Sequence, residues 1–182
     1  NKYEGVYAIK RNLYKNNYGN KLIFEEVNED LGITFQYQWN TSTKFGFVKK
    51  STVQNNTTAA VEVTILDGIQ NILPYGIASD FQNSTSNLID AYKKCELEKD
   101  TGLGIFALSA VIVDKAEPSE ALKANTVWST GVKNPTYLIS SLQLNAFRKG
   151  EQLHQEEDIK AEKGAYFTVQ DLTLAPNNPI SW

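Results

Sequence analysis

Alternating apolar and polar positions dominate the first half of the chain. The clearest run lies within Val27 to Asn40, where every second side chain is large and apolar: Ile33, Phe35, Tyr37 and Trp39. A period of two residues is typical of a β-strand, since successive side chains point to opposite faces. This pattern predicts a strand with one aromatic face.

Similar runs predict further strands along the chain. They are Leu22–Val27, Phe45–Val53, Ala60–Ile69, Ile105–Val113, Tyr137–Arg148 and Tyr166–Leu174. The run from Ile105 is almost continuously apolar, which indicates a strand buried on both faces. For Tyr137–Arg148 a short helix is the alternative, and the charged segment from Glu151 to Lys163 predicts an exposed loop or a short helix.

One segment has helical instead of alternating spacing. Leu88, Ile89, Tyr92 and Cys95 fall on one face of a helix, and Lys93, Lys94 and Glu96 fall outside it. Ser84 to Ser86 offer N-cap residues. The sequence therefore predicts one helix near residues 86–98.

These elements predict a mainly β fold. Strands separated by turn signals, without alternating helices, favour a two-sheet antiparallel sandwich over a doubly wound sheet. The length of 182 residues fits a single β-sandwich domain over residues 1–182. We expect that domain to be an excerpt of a larger multidomain protein, because the chain starts at Asn1 without an initiator methionine.

Composition excludes several functional classes. The net charge is −3, which argues against a nucleic-acid binder. No apolar run approaches the ~20 residues that a membrane-spanning helix needs. One cysteine and one histidine exclude an internal disulfide framework and a multi-histidine metal site. We expect no cofactor and no bound metal.

Few residues suggest catalysis. His154 lies in a charged segment and is interpreted as solvated, and Cys95 as a small buried apolar residue. Neighbouring carboxylates such as Glu25/Glu26, Glu29/Asp30 and Glu156/Glu157 point to opposite faces of a strand, so they do not form the facing pair that a glycosidase needs. We interpret these pairs as solvated and assign no catalytic residue.

Aromatic residues are the most informative group, with nine Tyr, eight Phe and three Trp. Such amphipathic rings suit sugar binding and wet interfaces, although most rings in a sandwich belong to the core. The candidate contacts with carbohydrate or with a neighbouring domain lie near strand ends and breakers: Trp39, Tyr75, Trp128 and Trp182. We expect Trp182 to be exposed toward a partner; the alternative is that it ends an edge strand.

Four stretches carry a resemblance to a known family: Val61–Gly76, Ser86–Lys94, Gly102–Phe106 and Ala116–Lys123. Their pattern of strand and turn residues resembles the N-terminal β-sandwich of cellobiose phosphorylases and related bacterial carbohydrate-active proteins. In that family a galactose-mutarotase-like supersandwich precedes a helical barrel that holds the catalytic carboxylates. The resemblance implies a bacterial protein, periplasmic or cytoplasmic, and no catalytic residue of the family lies within this chain.

The leading hypothesis is a non-catalytic β-sandwich module of a glycoside hydrolase- or phosphorylase-like protein. It would pack against and shape a catalytic helical-barrel domain outside this chain, with carbohydrate or a second copy as further partners. A free-standing carbohydrate-binding module is the alternative, and an exposed aromatic platform on a sheet face would favour it. An isolated enzyme of mutarotase type is a third possibility, which the solitary histidine disfavours.

Overall fold

The computed structural model describes residues 6–110 and 123–182. Its twelve strands are β1 Ile9–Lys15, β2 Lys21–Asn28, β3 Ile33–Ser42, β4 Gly46–Asn55, β5 Val61–Ile72, β6 Lys93–Glu98, β7 Leu103–Leu108, β8 Asn125–Val127, β9 Thr136–Leu138, β10 Asp158–Lys160, β11 Gly164–Leu174 and β12 Ile180–Ser181. Three short helices are α1 Ser79–Ser84, α2 Ser86–Tyr92 and α3 Leu144–Arg148. The mainly β class is confirmed.

The chain divides into two compact units, and β5 and β11 contribute residues to both. Unit 1 consists of Asn1–Thr64 and Asp171–Trp182, and unit 2 is Ile65–Gln170. The single domain expected over residues 1–182 stays a prediction, and each unit is described by itself.

Unit 1 is built on a five-stranded sheet in the order β1-β2-β3-β4-β12. Its strands pair antiparallel, with the first four joined in chain order. In β2 and in most of β3, residues on both faces are half-buried, so neither face is fully covered there. Among the described residues of these five strands, the fully buried ones alternate at the end of β4: Ser51, Val53 and Asn55.

Unit 2 contains the sheet β10-β6-β7-β8 and most of the sheet β5-β11-β9. Side chains from both meet in one core, which includes Cys95 and Leu97 of β6, Phe106 of β7 and Tyr166 of β11. The expected two-sheet packing is therefore present inside unit 2. A second cluster holds Leu138, Ala165 and Phe167.

The predicted helix near residues 86–98 is only half correct. Residues 86–92 form α2, but residues 93–98 form strand β6, which pairs antiparallel with β7. In that strand Lys93, Cys95 and Leu97 are buried and alternate with more exposed residues. Cys95 therefore belongs to a strand face, and the expectation that Lys93 points outward is wrong.

Three other expectations need correction. The strand predicted over Tyr137–Arg148 is limited to β9, and its C-terminal part forms α3, as the alternative proposed. The charged segment from Glu151 is mostly an exposed loop, as one of the two alternatives predicted, but residues 158–160 form β10. The run from Ile105 ends as a strand at Leu108, and residues 111–113 lie outside the described part of the chain.

Candidate functional site

One surface of the unit 1 sheet gathers most of its aromatic rings. We call it the aromatic face; it comprises Leu13, Leu22, Phe24, Phe35, Tyr37, Trp39, Phe47 and Trp182. Strand register places these residues on one side, because directly paired residues of antiparallel strands share a face. Leu13 pairs with Phe24, Phe24 with Tyr37, and Trp39 with Lys49, so the face crosses four strands.

The rings of this face pack on one another along the sheet. Phe24 and Tyr37 stack with ring centroids 4.8 Å apart and an interplanar angle of 11°. Phe35 lies 6.2 Å from both Tyr37 and Trp182. Most of these side chains are half-buried, whereas Leu13 and Phe47 at the margins are 63% and 81% exposed.

Charged groups are interspersed with the rings. Lys49 places its Nζ atom 5.2 Å from the centroid of the Tyr37 ring. Arg11 donates to Glu26 at 2.9 Å, and this pair shares the face because Glu26 pairs with Phe35 in register. The face therefore combines apolar ring surface with solvent-reaching hydrogen-bonding groups.

The opposite side of the sheet carries a network of polar side chains around Glu25. The Glu25 carboxylate accepts hydrogen bonds from Asn12 Nδ2 at 2.8 Å, Tyr14 Oη at 2.9 Å and Gln36 Nε2. The hydrogen bond from Asn12, followed by those from Gln36 and Tyr14, lowers the pKa of Glu25 below its usual value. Glu25 is thus half-buried in a network, not simply solvated as expected.

The structure separates the four aromatic residues singled out in the sequence. Trp39 and Trp182 both lie on the aromatic face in unit 1. Trp182 follows β12 and exchanges backbone hydrogen bonds with Ser51 of 2.9 and 3.0 Å, so it is the half-buried last residue of an edge strand. Tyr75 and Trp128 lie in unit 2, 51% and 48% exposed, and Lys123 Nζ lies 5.1 Å from the Tyr75 ring.

Unit 2 carries an open cleft of about 440 Å³. We call it the polar cleft because six of its eight lining residues have polar side chains. The lining comes from four distant segments: Gln70, Asn71, Asp90, Ser141, Leu142, Ala161, Glu162 and Lys163. Asn71 and Ala161 both have left-handed backbone conformations, with φ of 58° and 59°. For a residue such as alanine this costs ~1 kcal/mol, which the surrounding structure must offset.

Asp90, which lines the polar cleft, forms an ion pair with the buried Lys93. Lys93 is 3% exposed and donates to Asp90 Oδ1 at 2.8 Å, and Gln82 Nε2 donates to the same oxygen at 3.2 Å. Burial acts to raise the pKa of Asp90, but the hydrogen bonds from Lys93 and Gln82 and the charges of Lys93 and Lys163 hold it below its usual value. Asp90 therefore stays ionised at neutral pH.

A second buried carboxylate has a structural role. Glu156 is 7% exposed, and its Oε2 accepts the backbone N–H groups of Ile139 at 2.9 Å and Ser140 at 2.8 Å, while Gln143 Nε2 donates to Oε1 at 2.9 Å. The expectation that the Glu156/Glu157 pair is solvated is therefore wrong for Glu156. Nearby His154 is exposed, as predicted.

Cys95 is buried at 2% exposure, as predicted. Burial raises the pKa of its thiol to about 11 from 9.0. The thiol therefore stays protonated to a higher pH in the folded state than in the unfolded state. Its contribution to the free energy of unfolding has its full value below pH 9 and is lost as the pH rises through 11.

We accordingly expect the free energy of unfolding to fall between pH 9 and pH 10, with a contribution from Cys95 of at most about 1.4 kcal/mol per pH unit. Urea unfolding at both pH values measures the slope. Cys95→Ala should have a shallower slope than the wild type, and equal slopes would contradict this assignment.

The sequence matches no protein-family model, and no curated protein matches it. Among the described residues, no helix is long and apolar enough to cross a membrane, and no group of three or more His, Cys, Asp or Glu side chains is placed to hold a metal ion. The functional assignment therefore depends on the geometry of these two surfaces.

Sequence reasoning missed the polar cleft and the buried Lys93–Asp90 pair. The cleft residues come from positions 70, 90, 141 and 161, which no local pattern connects. A signal for Lys93 was present, since Lys93, Cys95 and Leu97 also alternate with a period of two.

Proposed function

We propose that the chain is a non-catalytic carbohydrate-binding module and that its aromatic face contacts the sugar chain. The observation that carries this proposal is the row of half-exposed rings on one side of the unit 1 sheet, flanked by charged side chains. This is the feature that favours the carbohydrate-binding alternative over a purely structural module. The membership of a glycoside hydrolase- or phosphorylase-like protein is part of the same proposal and rests on the sequence resemblance.

Sugar rings have apolar C–H faces and polar hydroxyl edges. A ring such as Trp39 offers apolar surface to the C–H face of a sugar. The Arg11–Glu26 pair and Lys49 offer hydrogen-bond donors and acceptors to its hydroxyl groups. Trp39 and Phe47 lie along the same margin, since Trp39 pairs with Lys49 and Thr41 with Phe47. We expect an extended oligosaccharide to contact this margin.

Trp39→Ala and Phe47→Ala should each weaken polysaccharide binding about tenfold or more, because each removes ring surface from the contact. Native gel electrophoresis through soluble β-glucan, xylan or α-glucan measures binding as retardation. Phe47 is 81% exposed, so its replacement leaves the fold intact.

Tyr18→Ala is the matched control, because Tyr18 is 91% exposed in the turn between β1 and β2 and lies outside the aromatic face. This variant should be retarded like the wild type. Absence of retardation in all three polysaccharides, or equal loss in the Tyr18 variant, would refute the proposal.

Packing against a catalytic helical-barrel domain is the second candidate for the same face. The mutual contacts of Phe24, Tyr37, Phe35 and Trp182 favour it, since these rings already use part of their surface on one another, as in the core of a protein interface. If the aromatic face packs against such a domain, the isolated chain should self-associate through this face, which analytical ultracentrifugation measures. Phe47→Ala should weaken that association, and polysaccharides should have no effect.

A further inference from the structure

We propose that the polar cleft of unit 2 binds a small zwitterion, an α-amino acid, with Asp90 accepting from its ammonium group and Lys163 pairing with its carboxylate. This site is separate from the saccharide surface proposed above and does not depend on it.

The Asp90 carboxylate can accept a further hydrogen bond. Both Lys93 and Gln82 donate to Oδ1, and Oδ2 accepts no hydrogen bond from any residue that the structure describes. The side chain is 25% exposed, and Asp90 lines the cleft. The buried Lys93 fixes the orientation of the carboxylate, so one oxygen is held in place and the other is available.

Lys163 supplies the opposite charge. Within residues 6–110 and 123–182 it makes no ion pair, although Lys160 on the preceding strand pairs with Asp158. The charge of Lys163 is also the smallest of the effects that lower the pKa of Asp90. Both line the same cleft.

The backbone fixes this arrangement. The turn before β11 carries Ala161 in its left-handed conformation, and the Ala161 N–H donates to the Lys93 carbonyl oxygen at 3.0 Å. The turn that presents Lys163 is therefore tied to the strand that holds the Asp90 partner. Such strained positions are often found where a site must be held in one geometry.

The lining favours a zwitterion over other small ligands. The charged lining residues are Asp90, Glu162 and Lys163, and the buried Lys93 that pairs with Asp90 brings their summed charge to zero, which favours a ligand without net charge. Among the described residues no aromatic ring lines the cleft, so they offer no stacking surface to a sugar ring. Leu142 is 58% exposed and offers an apolar contact to a ligand side chain. Ser141 Oγ accepts a hydrogen bond from Gln70 Nε2 at 3.0 Å, so its own hydroxyl proton can be donated to a ligand carboxylate.

The test is a titration of the isotopically labelled chain with the standard L-amino acids, followed by amide NMR shifts. At least one amino acid at about 10 mM should shift the resonances of Asp90, Ser141 and Lys163 in a saturable manner. The carboxamide and the N-acetyl derivative of the best binder each lack one charge and should bind about tenfold more weakly or worse.

Lys163→Gln should weaken binding by a similar factor, and Lys160→Gln is the matched control because Lys160 is exposed on β10 and does not line the cleft. Circular dichroism verifies the fold of both variants. The proposal is overturned if no amino acid shifts these resonances, if the charge-lacking derivatives bind equally well, or if glucose and galactose bind in place of amino acids.

Discussion

Glu156→Ala is expected to lower the free energy of unfolding by about 3 kcal/mol. The buried N–H groups of Ile139 and Ser140 would lose the carboxylate oxygen that accepts both. A buried donor without an acceptor costs ~1–3 kcal/mol, and both residues are fully buried. The Gln143 amide would lose a partner as well.

Chemical denaturation with urea measures this loss, and the neighbouring Glu157→Ala is the control. Glu157 pairs with Lys99 at 2.6 Å on the surface, where such pairs contribute ~0–1 kcal/mol. Glu156→Gln should fall between the two, because its amide oxygen still accepts from the backbone while its NH₂ group faces that of Gln143. Equal effects of the two alanine variants would show that Glu156 is not a structural acceptor.

Gly68→Ala is expected to be at least as damaging, because β5 passes directly beside β11 at this residue. An added Cβ would overlap the Tyr166 carbonyl oxygen and lie 2.7 Å from Phe167 Cα and 2.8 Å from Phe167 Cδ1. Two of these atoms belong to the backbone of a buried strand, so a rotamer change cannot relieve the overlap. We expect a loss of about 3 kcal/mol or more, as for severe overpacking.

Gly19→Ala separates this steric effect from the ordinary effect of replacing glycine. Gly19 has φ of 70° and no atom within 4 Å of an added Cβ, so only backbone strain of ~1 kcal/mol applies. Thermal unfolding of both variants compares them. A Gly68→Ala protein as stable as the Gly19 variant would contradict the close approach of the two strands.

Period-two patterns were sufficient to predict much of the sheet structure. The strands expected from Leu22, Phe45, Ala60 and Tyr166 all form, with ends shifted by a few residues. Strand β1 was missed because its side chains are almost all exposed and carry little apolar alternation. Pairing with β2 forms it instead, which depends on long-range geometry and not on local sequence.

The segment after Ser86 shows why spacing alone was ambiguous. Ile89, Tyr92 and Cys95 fit a helix, while Lys93, Cys95 and Leu97 fit a strand. Tertiary contacts decide between them: residues 93–98 pair with β7 and pack Cys95 and Leu97 into the core. Because Lys93 is a lysine, its burial could be predicted only with knowledge that Asp90 lies beside it.

The candidate surfaces differ in how far sequence could reveal them. Trp39 and the aromatic face follow from the alternation in β3, although the participation of Trp182 depends on a pairing with β4 that no local signal encodes. The polar cleft is created entirely by chain segments that are distant in sequence. Its charge arrangement could not be predicted from the sequence, because Asp90, Lys93 and Lys163 come together only in the folded chain.

The pairing of β12 with β4 has a consequence for the order of folding. Strands β1 to β4 join through short turns, whereas the hydrogen-bonded hydroxyls of Thr52 and Ser181 are separated by 129 residues. Closing so long a loop costs about 3 kcal/mol more entropy than closing a tight turn. The local meander should therefore form first, with β4 as an unpaired edge until β12 docks. An open edge can pair with another chain, so refolding yield should decrease as protein concentration rises.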